Sequence, residues 1–208
     1  MPRFEFIPTP LAGVVAVQRQ RLEDSRGFLS RFYCADEFAT VGVQQALAQV
    51  NFTLTRRTGT VRGLHFQRPP HAETKVVSCV RGEVFDVAID LRRQSPTFLQ
   101  WHAEVLSAAN QRSLLIPEGV AHGFQALTDD CELLYLHTAA HEPTAAGALN
   151  AVDPPLAIAW PLAIIDMSDP PPSPPTPPGP FDGSGLGSAC IAPPIRRSPM
   201  PPPGAPPP

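Results

Sequence analysis

The chain has 208 residues, of which 43% are hydrophobic and 17% are charged, and its formal net charge is -3. This length and composition allow one globular domain with a sizeable core. The weak negative charge lacks the basic field that attracts nucleic acid or an anionic membrane surface, so neither is expected as a partner. The sequence contains no run of 18 apolar residues, which argues against a membrane-spanning helix.

The distribution of prolines divides the chain into two parts. Residues 170–208 contain 17 of the 28 prolines, mixed with glycine, serine and alanine. This composition is too poor in apolar side chains for a core, so we expect a folded domain over residues 1–169 and a proline-rich, disordered tail over 170–208. The four cysteines form no CxxC pair, and the N-terminus lacks the pattern of a secretory signal. Both features favour a cytoplasmic protein with reduced thiols.

Short apolar segments between about residues 12 and 160 have the length and composition of β-strands. Gly, Pro, Asn and Asp separate them at short intervals, which predicts a mainly β protein built as a sandwich or barrel. Helical periodicity is sparse and indicates short helices only, one within residues 34–42 and one near residues 144–150. The predicted strand segments are LAGVVAVQ, TVRGLHF, KVVSCV, EVFDVAIDL, WHAEVLS, SLLIP, HGFQALT and ELLYLHT.

Polar side chains within these strands are candidate ligand-binding residues, because inward-facing polar groups in a small barrel are costly unless they are paired or line a cavity. Lys75 is the only lysine beside 15 arginines. This exception suggests that position 75 needs a compact ammonium group, and the alternative is an ordinary surface lysine. On their own, Tyr135 and His122 are better explained as a strand aromatic and a turn histidine. The full set is Arg62, His65, Lys75, Asp86, His122 and Tyr135.

Arg62 and His65 are three residues apart and flank a glycine, Gly63. In a regular strand this spacing places two side chains on opposite faces of the sheet. A β-bulge at Gly63 would bring both side chains to one cavity.

A metal-dependent cupin, such as a dioxygenase, is one alternative. Residues 117–122 have the PxGxxH spacing of the second metal motif in that superfamily. However, His65, His71 and Glu73 do not reproduce the first motif, and Gln67 stands where its second histidine belongs. A metal site needs three or four well-placed ligands, so no tightly bound metal is expected. The sequence also lacks a GxSxG elbow and a phosphate-binding glycine loop.

A set of motifs follows in one order between residues 10 and 161. They are Asp24-Ser25-Arg26-Gly27-Phe28, Gln49-x-Asn51-x-Thr53, Arg62-Gly63-Leu64-His65-Phe66-Gln67, Lys75, the run 85–92, Ser95-Pro96-Thr97, the run 117–124 and Ile158-Ala159-Trp160-Pro161. Together they closely resemble the dTDP-4-dehydrorhamnose 3,5-epimerase family. The resemblance implies a double-stranded β-helix (a jelly-roll, cupin-like barrel) that uses neither a metal nor another cofactor. It also implies a homodimer that epimerises dTDP-4-dehydro-6-deoxy-D-glucose at C3, at C5 or at both.

The resemblance also implies roles for individual residues. His65 is the base that removes a proton beside the ketone, Tyr135 is the acid on the opposite face, and Lys75 stabilises the enolate oxygen. These residue types suit the chemistry, because the proton becomes labile only if the enolate is stabilised, and inversion needs two groups flanking the ring. The implied substrate-binding residues are Gln49, Asn51, Arg62, His122 and Arg26, which reaches the diphosphate from a neighbouring subunit.

The sequence departs from the family near the end of the domain. The aspartate that usually orients the base is expected at position 171, where this chain has Pro171. Asp169, two residues earlier, is the candidate to orient His65. These departures support a second hypothesis, a catalytically weakened sugar-nucleotide-binding protein of the same fold. Further pocket positions that differ from the family are Ala140, His141, Ala146 and Ala151.

Overall fold

The computed structural model describes residues 2–167, which form fourteen β-strands and one short helix. Asp169 and the predicted tail lie outside the described residues. Within residues 2–167, no helix has the length and hydropathy needed to cross a membrane. In chain order the elements are β1 (Phe4–Pro8), β2 (Val15–Arg19), β3 (Arg21–Asp24), β4 (Gly27–Ser30), α1 (Ala35–Ala39), β5 (Gln49–Thr55), β6 (Thr60–Gln67), β7 (Lys75–Arg81), β8 (Glu83–Asp90), β9 (Trp101–Ser107), β10 (Arg112–Ile116), β11 (Val120–Ala126), β12 (Cys131–His137), β13 (Ala146–Ala148) and β14 (Asp166–Met167).

Two sheets contain most of these strands. The first sheet has the order β1-β2-β10-β7-β12-β5, and the second has the order β13-β6-β11-β8-β9, with β14 pairing in parallel to the end of β6. The remaining strands, β3 and β4, form a separate hairpin. From β5 to β8, and again from β9 to β13, successive strands alternate between the two sheets. This antiparallel arrangement is the predicted jelly roll.

The core lies between the two sheets. Strand alternation points every second residue inward, so Val77 and Leu133 of the first sheet meet Val84, Ala88 and Phe124 of the second. These side chains are at most 1% exposed. Burial of each large apolar side chain contributes roughly 1.5–3 kcal/mol, so this layer holds the two sheets together.

The outer face of each sheet is covered by a different part of the chain. Phe38 of α1 packs on the first sheet against Leu115 and Leu136, in a cluster with the aromatic ring of Phe4. The segment from Leu149 to Ile164 covers the second sheet and packs on the outward side chains of β8. Because both faces of the central strands are buried, those strands read as continuous apolar runs.

The inner face of the barrel changes from apolar to polar along its length. On β7, Val77 and Cys79 belong to the core, and the next inward residue toward the strand's beginning is Lys75. On β12, the inward positions continue from Leu133 to Tyr135 and His137. The polar positions of neighbouring strands therefore meet at one end of the barrel.

Two features of the fold differ from the sequence-based predictions. The predicted helix near residues 144–150 is wrong: this segment contains β13, whose Ala146–Ala148 pairs with the edge of β6. The edge of β6 offers backbone hydrogen bonds to this segment, and their contribution outweighs the helical propensity of its alanines. The strand pattern also missed β1, the β3–β4 hairpin and β5, whereas the helix within residues 34–42 is confirmed as α1.

Candidate active site

A cavity of about 800 Å³ opens at the polar end of the barrel. Most of the predicted site residues line it, as do His141 and Ala146, two of the pocket positions that differ from the family. It also includes Glu73 and His137, which the sequence did not indicate as site residues. Gln49 is one contact away, because its Nε2 donates to Asn51 Oδ1 at 2.9 Å. The predicted site residues that line the cavity are Asn51, Arg62, His65, Lys75, His122 and Tyr135.

The predicted bulge on β6 is present. The pairing of β6 with β11 shifts register, since His122 faces His65 whereas Phe124 faces Arg62. Because of the extra residue on β6, the side chains of Arg62 and His65 both point to the cavity. Gly63 makes this possible, because its φ is +117° and a Cβ there would lie 2.5 Å from the Cα of Gly123.

His65 is exposed at the cavity and has no carboxylate partner within residues 2–167. The surrounding protein nevertheless desolvates the ring, and the charges of His122 and Lys75 act in the same direction. Both effects lower the pKa of His65 below its ordinary value of 6.5. The imidazole is therefore neutral near pH 7, which is the form that accepts a proton.

His122 is held by a buried carboxylate. Its Nε2 lies 2.8 Å from Oδ2 of Asp86, a residue that is fully buried on β8. Burial raises the pKa of Asp86, and the contact with His122 opposes that shift. The pair fixes the orientation of the His122 ring, because a buried polar group that loses its partner costs free energy.

Lys75 belongs to a cluster that we name the cavity triad: Lys75, Glu73 and His137. Lys75 Nζ donates to Glu73 Oε1 at 2.7 Å, and His137 Nδ1 donates to Glu73 Oε2, also at 2.7 Å. Burial alone would raise the pKa of Glu73, but His137 and Lys75 outweigh it and lower this pKa to about 2. Glu73 is therefore ionised, and it is the one carboxylate in direct contact with Lys75 among residues 2–167.

Strand periodicity could have revealed the two missed members of the triad. Glu73 precedes Lys75 by two residues, and His137 follows Tyr135 by two residues on β12. Residues two apart on a strand point to the same face, so both lie on the cavity side.

Tyr135 packs between two histidine rings. Its ring makes an edge contact with His122 at a centroid distance of 6.0 Å and stacks on His137 at 5.9 Å. Burial and the nearby charge of Asp86 raise the pKa of Tyr135 above its ordinary value of 10.0. The phenol therefore keeps its proton at neutral pH and can donate it.

Arg26 does not reach the cavity of its own chain. It lies at the tip of the β3–β4 hairpin, where its exposed guanidinium pairs with Asp24 at 2.6 Å. Asp169, the predicted partner of His65, lies outside the described residues. Within residues 2–167, no group of three or more His, Cys, Asp or Glu side chains is arranged to hold a metal ion.

The two sheets bring complementary groups to one cavity. A neutral imidazole extends from β6, whereas a protonated phenol and an ammonium group extend from β12 and β7 of the facing sheet. A base and an acid on opposite walls, with a cation beside them, can invert a carbon next to a carbonyl. Fold and site thus define a cupin-like barrel of the racemase and epimerase class.

Comparison with known proteins identifies the family. The model of the dTDP-4-dehydrorhamnose 3,5-epimerase family matches residues 8–171. A dTDP-4-dehydrorhamnose 3,5-epimerase of Methanothermobacter thermautotrophicus is 39% identical over 166 residues, 80% of this chain and 89% of the relative. A dTDP-4-dehydrorhamnose 3-epimerase of Streptomyces niveus is 39% identical over 155 residues, 74% of each chain. The chain therefore belongs to the dTDP-4-dehydrorhamnose 3,5-epimerase family, whose members are isomerases.

Solved structures agree with this assignment. The crystal structure of dTDP-6-deoxy-D-glucose-3,5-epimerase from Legionella pneumophila, in complex with dTDP-4-keto-L-rhamnose, matches with a TM-score of 0.75 and 35% identity. The match covers 79% of this chain and 88% of that chain. The jelly-roll fold is thereby confirmed.

Proposed function

We propose that this isomerase converts dTDP-4-dehydro-6-deoxy-D-glucose to dTDP-4-dehydro-L-rhamnose by inverting C3 and C5, the carbons beside the C4 ketone. One observation carries the proposal: His65 on β6 and Tyr135 on β12 line one cavity from facing sheets. Inversion needs proton removal on one face of the sugar ring and proton return on the other. The reaction serves the synthesis of L-rhamnose or another deoxysugar.

Each inversion takes two proton transfers through an enolate. Neutral His65 removes the proton beside the ketone. The C–H electron pair forms a double bond to the carbonyl carbon, and the carbonyl π electrons move to the oxygen, which becomes negatively charged. The Lys75 ammonium donates a hydrogen bond to that oxygen, which is effective in a cavity walled by protein. Tyr135 then delivers its proton to the opposite face of the same carbon. Solvent restores the protonation states of both groups.

The remaining predicted residues suit a nucleotide-linked sugar. Arg62 makes no ion pair within residues 2–167, so its guanidinium is available for an anionic diphosphate. His122 and Asn51 border the same space and offer hydrogen-bonding groups to sugar hydroxyls, with Gln49 holding the Asn51 amide. We propose these four residues as the substrate-binding set.

We further propose a homodimer in which Arg26 serves the partner's site. Phe28 and Leu29 on the hairpin are 57% and 68% exposed, and Val50 and Phe52 on the edge strand β5 are 57% and 61% exposed. Such apolar residues on a hairpin and an open sheet edge favour pairing with a second copy. Sedimentation equilibrium of the wild type and of Phe52→Ser tests this: a monomeric wild type would contradict the dimer. The cysteines at 34, 79 and 131, within the described residues 2–167, are unpaired thiols, and they support a cytoplasmic location.

Incubation with the dTDP-keto-sugar in deuterated water tests the reaction, with NMR reading exchange at C3 and C5. We expect deuterium at both carbons, and His65→Ala should slow its incorporation by about 10²–10⁴-fold. His102→Ala, which removes a histidine outside the cavity, is the matched control. Unchanged exchange in a folded His65→Ala variant would contradict the role of the base. Deuterium at C3 alone would assign a 3-epimerase, the activity named for the Streptomyces niveus relative.

Pro171, which stands where the family's base-orienting aspartate is expected, favours a second candidate function, sugar-nucleotide binding with weakened turnover. In that case calorimetry would detect binding of the dTDP-sugar while deuterium exchange stays near the uncatalysed rate. Where the wild type does exchange, Asp169→Asn tests the orienting residue: if Asp169 orients His65, the exchange rate should fall by about 10–100-fold. An unchanged rate would show that His65 works without it.

A further inference from the structure

The cavity triad contains two residues that the proposed mechanism leaves without a role. Glu73 and His137 line the cavity, and their side chains are only 9% and 12% exposed. Nothing in the transfer of protons between His65, the sugar and Tyr135 requires them. Their contacts nevertheless join the enolate-stabilising cation to the proton-donating phenol.

Glu73 uses both of its oxygens within the triad. Oε1 accepts from Lys75 and Oε2 accepts from His137, each at 2.7 Å. An ionised carboxylate only accepts hydrogen bonds, so the Nδ1 of His137 must carry a proton. An ammonium group has three donors, and the bond to Glu73 leaves two for a substrate oxygen. Glu73 can therefore orient Lys75 without blocking it.

His137 extends this anchor to the phenol. Its ring stacks on Tyr135 with an interplanar angle of 13°. At the far side, Asn51 Nδ2 lies 3.5 Å from Nε2 of His137, and Asn51 is held in turn by Gln49. Glu73 thus holds the imidazole at Nδ1, Asn51 borders Nε2, and the ring of Tyr135 stacks on the same imidazole.

We propose that Glu73 and His137 are positioning residues of the epimerisation, Glu73 aiming the Lys75 ammonium and His137 setting the plane of Tyr135. The inference rests on the proposed function. The two residues act on different steps. Misplacing Lys75 impairs enolate formation, so it slows deuterium exchange and epimerisation together. Misplacing Tyr135 impairs proton return on the second face. The fraction of substrate that exchanges its proton but keeps its configuration should therefore rise relative to the fraction that is inverted.

The experiment compares Glu73→Gln, Glu73→Ala and His137→Asn with the wild type in deuterated water. Glutamine keeps one acceptor for Lys75 but loses the charge, whereas alanine loses both. We expect kcat to fall by about 10–100-fold in Glu73→Ala and less in Glu73→Gln, with KM nearly unchanged, as for the loss of an orienting partner. In His137→Asn, the ratio of exchanged, uninverted substrate to epimerised product should rise several-fold.

Matched controls come from a second carboxylate that also joins a cation to a histidine. Glu104 contacts His102 at 3.0 Å and Arg112 at 2.9 Å, and neither Glu104 nor His102 lines the cavity. Glu104→Ala and His102→Asn should leave kcat and the exchange ratio unchanged, and melting temperatures report folding in all variants. If Glu73→Ala fails to fold, Glu73→Gln and His137→Asn still test the positioning roles of Glu73 and His137.

The outcomes separate this inference from the proposed function. The inference alone is overturned if the wild type exchanges deuterium and both Glu73→Gln and His137→Asn keep the kcat and the exchange ratio of the wild type. A rise in KM without a fall in kcat also overturns it, because that pattern belongs to substrate contacts. A wild type without exchange overturns the proposed function, and the inference with it.

Discussion

Two clusters in this protein share one arrangement, a carboxylate between a cation and a histidine, and lie in different surroundings. In the cavity triad, Glu73 joins Lys75 to His137, and in what we call the outer triad, Glu104 joins Arg112 to His102. Both carboxylates accept one bond from a cation and one from an imidazole, and the pKa of each is lowered. The shared geometry shows that such a cluster does not by itself make an active site.

The difference lies in the cation and in what it faces. The Lys75 side chain is 7% exposed and borders the cavity, whereas that of Arg112 is 40% exposed and borders solvent. A compact ammonium among protein walls acts strongly on a developing charge, while an exposed guanidinium is screened by water. The outer triad joins β9 of the second sheet to β10 of the first, so its role is structural.

Substituting the two cations should give the largest contrast. Lys75→Met removes the proposed donor to the enolate and should lower the rate of deuterium exchange by about 10²–10³-fold. Arg112→Met should leave that rate unchanged. Exchange kinetics with saturating substrate measure both, and equal effects of the two substitutions would contradict the assignment of Lys75.

The pH dependence sharpens the same contrast. Because the pKa of His65 is lowered and that of Tyr135 is raised, kcat/KM should fall only below pH 6.5 on the acid side and above pH 10 on the basic side. Lys75 contributes to the lowering at His65, so the acid limb of Lys75→Met should move to higher pH. The acid limb of Arg112→Met should not move. A wild-type acid limb above pH 6.5 would contradict the role of neutral His65.

The smallest expected effect concerns stability. Glu104→Ala leaves His102 and Arg112 without their acceptor and should lower the free energy of unfolding by about 1–3 kcal/mol in urea titrations at pH 7. The folded-state pKa of Glu104 is below 4.5, so its contribution is present above pH 4.5 and is lost as the pH falls through the folded value. The gap between the wild type and Glu104→Ala should therefore close in acid. A gap that persists at low pH would point to packing instead.

Alternation along strands explains how far the sequence could predict the site. Polar residues at inward positions of β6, β7 and β12 indicated Arg62, His65, Lys75 and Tyr135, and the structure places all four around one cavity. The same rule applied to His137 would have found it. Its partner Glu73 lies two residues before the start of β7 and was weighed only as a metal ligand. Its spacing from Lys75 indicates the cavity side, but its contact with His137, 64 residues away, has no local signal.

The fold was predictable where strands are apolar on both faces and unpredictable where pairing depends on tertiary contact. The inner strands β7, β8 and β11 were evident as short apolar runs. The edge strands β5 and β13 were not evident, since β5 carries polar inward residues and β13 owes its extended form to the edge of β6. Edge strands take their conformation from a neighbour as much as from their own residues.

The bulge on β6 has a consequence for how this site can change over time. Side chains alternate strictly along a strand, so removing one residue between Arg62 and His65 would reverse the parity of one relative to the other. The close approach of Gly63 to Gly123 also leaves no room for a side chain at either position. Substitutions on the cavity wall can therefore alter the substrate preference, whereas an insertion or deletion between Arg62 and His65 would turn one of these two side chains away from the cavity.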